Sequence, residues 1–193
     1  MENNVEILET EVLSNNWYTL LKVTYNYLKR DNTWQTQVRE AYDRGNGAAI
    51  LLYNTKKKTI ILTKQFRLPT FINGNKNGMM IECCAGLLDK DHPEDCIKKE
   101  ALEETGYQIK NAKKIFEAYM SPGAVTEILH FFIAEYDDSM KITEGGGLTQ
   151  EQEDIEVIEL NFEMAYDMIA KGDIKDAKTI MLLQHTKIHM FYS

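Results

Sequence analysis

The chain has 193 residues, 30 acidic against 22 basic, and a net charge of −8. That length suits one or two domains, and 44% hydrophobic against 27% charged residues marks a globular rather than a disordered chain. The acidic balance supplies no face for a nucleic-acid backbone, so a phosphate-bearing substrate would need a divalent metal to draw it in.

Residues 17–29 are rich in aromatic and β-branched side chains, 34–42 alternate with a period near two after the polar break at Asp31-Asn32, and with residues 4–12 they predict a three-stranded antiparallel meander. Arg44-Gly45-Asn46-Gly47 punctuates the chain. We take residues 1–43 as an N-terminal strand subdomain and 44–193 as the main domain. Apolar runs at 48–53 and 59–63 flank a lysine-rich turn and predict a hairpin buried on both faces with a solvated tip. Residues 79–84 read as one more strand. Residues 93–105 change period: Pro93 suits a first helical position, Glu94 and Asp95 the first turn, and Gly106 the stop. Strands are expected at 113–119, 127–135 and 155–160, and helices at 161–171 and 176–190. This order gives a mixed α/β layer architecture rather than repeated βαβ units.

Cys83, Cys84 and Cys96 form no CxxC pair, which argues against a disulfide framework or zinc ribbon and for a reducing cytoplasm. The acidic N-terminus lacks the features of a signal peptide, and no apolar run is long enough to span a bilayer, so no membrane partner is expected. His185 and His189, at i, i+4, read as helix surface or packing.

The chemistry concentrates in Lys99-Glu100-Ala101-Leu102-Glu103-Glu104-Thr105-Gly106. On a helix, Glu100, Glu103 and Glu104 share an arc of about 100°. Like charges at i, i+4 destabilise a helix by roughly 0.2–0.5 kcal/mol per pair, and acids near its C-terminus oppose the dipole. A divalent cation would relieve both penalties, and magnesium takes carboxylates, water and substrate phosphate. A solvated acidic face is the alternative. Against it, Ile97 and Ala101 form an apolar row beside Cys96, Glu100 and Glu104, so the acids border the core-facing stripe.

Residues 85–107, AGLLDKDHPEDCIKKEALEETGY, resemble the signature box of the Nudix superfamily of pyrophosphohydrolases. Glu100, Ala101, Glu103, Glu104, Gly106 and Tyr107 match, with Lys99 in an arginine position. A lysine there cannot reproduce the arginine's fork-shaped pairing with a glutamate. Strict spacing puts Ala85 and Asp91 in the box's Gly and Glu positions. The alternative uses Gly86, which we prefer because a strand-to-helix turn needs a glycine bend. Gln65-Phe66-Arg67 resembles a segment of the superfamily's nucleoside-diphosphate-sugar pyrophosphatases, whose arginine pairs phosphate oxygens. Ser121-Pro122-Gly123 resembles a segment of ADP-ribose hydrolases, or is a plain turn.

The segments YDRGNGAAILLYNTKKKT, ECCAGLLD, IKKEALEETGY, YMSPGAVTE, HFFIAEY and GGG…EDIEV make the chain, along most of its length, similar to the GDP-mannose pyrophosphatase branch of that superfamily. The resemblance implies a Nudix-type α/β/α sandwich with a mixed sheet, behind an N-terminal antiparallel strand subdomain that reaches across a homodimer. It implies Mg²⁺ (or Mn²⁺) held by the Ala85 carbonyl, Glu100, Glu104 and a loop glutamate, Glu153, with Glu151 the alternative. It implies substrate contacts from Trp17, Arg67, Ala85, Gly86, Leu87, Glu104, Glu127, Gln152, Glu153 and Lys178, with Val38, Arg39 and Glu40 supplied by the other subunit. Glu127 would reach the sugar or a water on the metal. Glu103 and Glu153 both qualify as the general base. Gly145-Gly146-Gly147 is expected to open a pliable loop that carries Glu153 as part of a lid. The implied reaction is Mg²⁺-dependent hydrolysis of GDP-mannose to GMP and mannose 1-phosphate. The competing readings are ADP-ribose hydrolysis, a sensor that binds a nucleotide sugar without cleaving it, and an acidic scaffold module.

Overall fold

A computed structural model describes residues 4–191, so the outermost residues of the expected domain ranges, 1–3 and 192–193, lie outside the described residues. The chain divides into two compact units, Met1–Asn46 with Tyr119–Ile128, and Gly47–Ala118 with Leu129–Ser193.

In the first unit, β1 (Val5–Asn15), β2 (Thr19–Leu28) and β3 (Trp34–Asp43) form the expected antiparallel sheet in the order β1-β2-β3. Two register shifts break the β1–β2 ladder, one between Ile7 and Glu9 and one between Val12 and Ser14. The 119–128 segment joins this unit through Tyr42, whose N–H donates to the Ala124 carbonyl at 2.7 Å and whose carbonyl accepts from Thr126 N at 3.1 Å.

The second unit is built on β4 (Gly47–Asn54) and β5 (Thr59–Phe66). The lysine-rich turn between them is ordered by Asn54, whose Oδ1 accepts from the N–H groups of Lys56 and Lys57 at 3.0 and 2.9 Å. Only Leu52–Asn54 and Thr59–Ile61 pair, so the hairpin forks after three residues. After a short helix α1 (Leu68–Ile72), the chain fills that fork. β6 (Met79–Glu82) pairs with β5, and β7 (Cys84–Leu87) pairs with β4. The run predicted as one strand is therefore two. The switch falls at Cys83, whose N–H donates to Thr179 Oγ1 at 2.7 Å and not to a neighbouring strand.

Helix α2 (Pro93–Thr105) occupies the predicted range. His92 is extended before Pro93 and its side chain accepts from Glu94 N, while Gly106 closes the helix at φ 81°. β8 (Lys113–Tyr119), β9 (Ile128–Glu135) and β10 (Glu156–Asn161) complete a sheet of order β10-β5-β4-β9-β8. The β4–β9 pair is parallel and the β4–β5 and β10–β5 pairs are antiparallel, so the sheet is mixed. Helices α3 (Phe162–Lys171) and α4 (Ala177–Thr186) follow, and α4 runs into a π-helical turn at Lys187–Phe191.

β4 is buried on both faces because it separates two helical layers. Ala48, Ile50 and Leu52 join a core with Ile97 and Ala101 of α2. The opposite face reaches α4 through Phe131, Phe116 and His185, with ring centroids 4.7 and 6.1 Å apart. His185 also packs on His189 at 4.3 Å, in keeping with a packing role for that pair.

Candidate active site

Two periodicities bring the acids of α2 into line with β7. Four helical residues rise about 6 Å, and two strand residues about 6.6 Å. Glu100 and Glu104 therefore match Gly86 and Cys84, which alternate onto the same face of β7. The correspondence with Gly86 is tight: a Cβ there would lie 2.2 Å from Glu100 Cδ. This corrects the expected role of Gly86. It is an extended strand residue paired with Ala48, and it leaves room for a carboxylate. The left-handed residue of the turn is Asp89, at φ 46°.

Burial makes these carboxylates unusual. Glu104 is only 2% exposed, and its Oε2 is buried without a hydrogen-bond partner. Burial is the largest influence on Glu104 and holds it up at about 8, with Glu100 and Glu153 adding like charge against the Cys84 thiol and Arg67. Burial likewise lifts Glu100 to about 7, helped by Glu103 and Glu153. A buried anionic oxygen with no donor is costly unless a cation meets it. The donor chemistry fits a hard divalent ion. Among the described residues, no three His, Cys, Asp or Glu side chains already converge at ligand distance. Lys99 is 62% exposed on its side chain, with Nζ 3.8 Å from Glu103 Oε1, so it holds that glutamate loosely.

In the 144–153 segment, the glycines expected to open a pliable lid are docked on α2. Gly146 and Gly147 donate to the carbonyls of Glu104 and Glu103 at 2.9 and 3.1 Å, which satisfies two unpaired carbonyls at the end of α2. A Cβ at Gly145 would sit 2.5 Å from the Glu104 carbonyl oxygen, and Gly145 is at φ 71°. These glycines permit close docking onto α2. Beyond them, Thr149–Glu151 forms a 3₁₀ turn and Gln152 is left-handed and exposed. Glu153 turns back, its Oε2 accepting from Leu148 N at 2.9 Å. Its charge acts on both Glu100 and Glu104, whereas Glu151 acts on Glu100 and not on Glu104 among the influences identified.

Arg67 and Lys178 converge on a residue the sequence reading missed. Arg67 Nε and Nη2 donate to the two carboxylate oxygens of Glu82, each at 2.9 Å. Lys178 Nζ donates to Glu82 Oε2 at 2.7 Å and to Asp176 Oδ1 at 2.9 Å. Burial would raise the Glu82 carboxyl, but the Arg67 hydrogen bonds and the Lys178 charge overcome it and hold it at about 2. The available signal was an acid inside the apolar run 79–84. Asp176 was also missed; it caps α4, its Oδ2 accepting from Thr179 N at 2.9 Å.

Ala85 and Leu87 lie in β7, opposite Ala49 and Gly47. Asp91 sits in the turn before α2, its N–H on the Leu88 carbonyl at 2.7 Å. Trp17, Val38, Arg39, Glu40 and Glu127 belong to the first unit. Trp17 is 81% exposed at the β1–β2 turn, with its ring edge-on to Tyr18. Arg39 Nη1 donates to its neighbour's carbonyl, on Val38. Glu127 Oε1 lies 3.5 Å from Arg44 Nε. Ser121-Pro122-Gly123 makes a turn closed by Ala124 N and Val125 N on the Ser121 carbonyl. A cleft of about 390 Å³ beside Gly145 and Gly146, lined by Tyr107, Lys141, Glu144 and Val157, excludes Glu100, Glu103, Glu104 and Glu153.

Comparison with known proteins agrees with this geometry. Residues 4–42 match the family model of the GDP-mannose pyrophosphatase NudK N-terminal domain, and residues 43–183 match the NUDIX domain. The chain is 56% identical over 189 residues to a GDP-mannose pyrophosphatase of Yersinia enterocolitica, covering 98% of both chains. It is 53% identical to one of Cronobacter sakazakii, covering 97% of both, and 54% identical to one of Escherichia coli strain K12, covering 96% of both. With a box helix whose acids turn inward beside β7 and a domain match over most of its length, the chain belongs to the Nudix family of hydrolases.

Proposed function

We propose that this chain hydrolyses the diphosphate bond of GDP-mannose, giving GMP and mannose 1-phosphate, with Mg²⁺ as cofactor (Mn²⁺ as a substitute). The observation that carries the reading is the buried Glu104 oxygen without a donor, beside Glu100, in a chain more than half identical to proteins named for that reaction. Glu100, Glu104, Glu153 and the Ala85 carbonyl would hold the cation. When bound, such a cation offsets diphosphate charge and acidifies a water. Arg67 and Lys178 bring positive charge to the phosphates, and Gly86, Leu87 and Gln152 line the approach. Glu103 or Glu153 accepts the proton of the attacking water. Trp17 and Glu127, with Val38, Arg39 and Glu40 of the other subunit, complete the substrate contacts carried by the resemblance.

The same reading takes residues 1–43 as the part that pairs two copies and 44–193 as the part that carries the chemistry. Exposed Val5, Ile7, Leu8, Val12 and Leu13 support such pairing. No helix among the described residues is long and apolar enough to cross a membrane, and the free cysteines suit a cytoplasmic setting.

The test is a panel of nucleotide sugars with Mg²⁺, including GDP-mannose and ADP-ribose, followed by phosphorus NMR. The expected result is fastest turnover on GDP-mannose with GMP and mannose 1-phosphate as products. Faster turnover of ADP-ribose would shift the assignment to that substrate, and persistent binding without product would make the chain a sensor.

A further inference from the structure

We propose that Glu82 is a positioning residue, which fixes the Arg67 guanidinium so that its remaining N–H groups meet the substrate's diphosphate. This inference rests on the function proposed above and adds a residue to it. Arg67 follows β5, Glu82 ends β6, and Lys178 lies in the first turn of α4. One carboxylate therefore ties together the ends of three elements.

The bond count defines what Glu82 does. A guanidinium has five N–H donors, and Glu82 takes one on Nε and one on Nη2. The second Nη2 proton and one Nη1 proton remain side by side on the adjacent edge of the same plane, and the other Nη1 proton lies on the Cδ side. A planar group clasped along one edge cannot turn, so the adjacent Nη1/Nη2 edge has a set direction. Arg67 keeps 40% of its side chain exposed while the Glu82 side chain is at 4%. The clasped edge is thus the dry one. Arg67 and Glu104 also sense each other's charge, so the guanidinium and the box carboxylates share one electrostatic environment.

A purely structural network is the competing account. Arg67, Lys178, Glu82 and Asp176 balance at two charges of each sign, and buried ion pairs of this kind need have no role in binding. The two accounts differ in whether Glu82 acts on ligand affinity through Arg67. Isothermal titration with GDP and Mg²⁺ measures this without turnover, in the wild type, Glu82→Gln, Arg67→Ala and the double variant. Glutamine keeps the size of Glu82 but has one acceptor oxygen, so it cannot clasp the fork.

We expect Glu82→Gln and Arg67→Ala each to weaken GDP binding by about tenfold, and the double variant to be within about twofold of Arg67→Ala alone. Unchanged GDP affinity in a folded Glu82→Gln variant, multiplicative losses in the double variant, or no GDP binding by the wild type would each overturn the proposal. If Glu82→Gln does not fold, nitrogen-15 NMR of the Arg67 Nε–H in the wild type decides. A resonance that stays protected from exchange when GDP and Mg²⁺ are added supports the clasp. One that becomes rapidly exchanging means that the ligand takes the fork from Glu82, which refutes it. Failure of the proposed function itself would appear separately, as absent hydrolysis of GDP-mannose by a wild type that still binds GDP.

Discussion

Replacing Gly86 by alanine isolates the geometry of one carboxylate. Gly86 lies in regular β7 pairing, so alanine meets no backbone strain there. The added Cβ would instead lie 2.2, 2.3 and 2.4 Å from Glu100 Cδ, Oε1 and Cγ. Ordinary carbon contacts begin near 3.5 Å, so the Glu100 side chain must retreat by about 1 Å or more. That side chain is flexible, and the stability cost should stay at about 1 kcal/mol, at the low end for overpacking. The chemical cost should be larger, because about 1 Å of misplacement at a site can reduce the rate by about 10². The assay is GDP-mannose hydrolysis over a Mg²⁺ titration, paired with thermal melts. The expected result is a nearly intact melting temperature, a weaker Mg²⁺ dependence and a kcat lower by about two orders of magnitude. A folded Gly86→Ala variant with unchanged kcat and Mg²⁺ response would refute the pairing of β7 with α2 as the basis of the site.

Three further outcomes follow from the same geometry. Glu104→Gln should keep the fold and lose most turnover, since it removes an anionic ligand from a site that is already dry; near-normal hydrolysis at saturating Mg²⁺ would count against the assignment. Metal-free protein should lose stability as pH rises from about 4.5 towards 8, because Glu100 and Glu104, raised to about 7 and about 8, bind protons more tightly folded than unfolded. Melts in EDTA across that range should reveal the decline, Mg²⁺ should reverse most of it at pH 8, and a flat profile in EDTA would contradict the burial of the pair. Gly106→Ala should cost about 2 kcal/mol or more by urea unfolding, since the left-handed φ of 81° alone costs roughly 1–2 and the new Cβ would meet the Thr143 carbonyl oxygen at 2.1 Å.

Local physics carried much of the fold into the sequence. Pro93, the acidic first turn and Gly106 bound α2 because a helix end has fixed backbone needs that a few residue types meet. The aromatic and β-branched run at 17–29 and the alternation at 34–42 marked β2 and β3, which β1 joins, and the apolar row of Ile97 and Ala101 indicated that Glu100 and Glu104 border the core. The spacing of three glutamates drew attention to the helix, and the likeness of residues 85–107 to the Nudix box, rather than charge crowding by itself, pointed to a cation there.

What the sequence did not carry depends on contacts between distant segments. The run 79–84 splits into β6 and β7 because β4 and β5 diverge and each needs a new neighbour, which no local pattern records. The glycines at 145–147 resemble a hinge in one dimension, yet they dock on the carbonyls of Glu103 and Glu104, some forty residues earlier. Gly86 is small because Glu100 lies against it, and the Arg67 fork closes on Glu82 because, among the described residues, burial leaves that carboxylate Arg67 and Lys178 as its partners. The amino-acid order alone thus determined the elements and the chemical class of the site. The tertiary structure decided which carboxylates are dry, which cations are clasped and in what direction they point, since burial and hydrogen bonding arise only when remote segments meet.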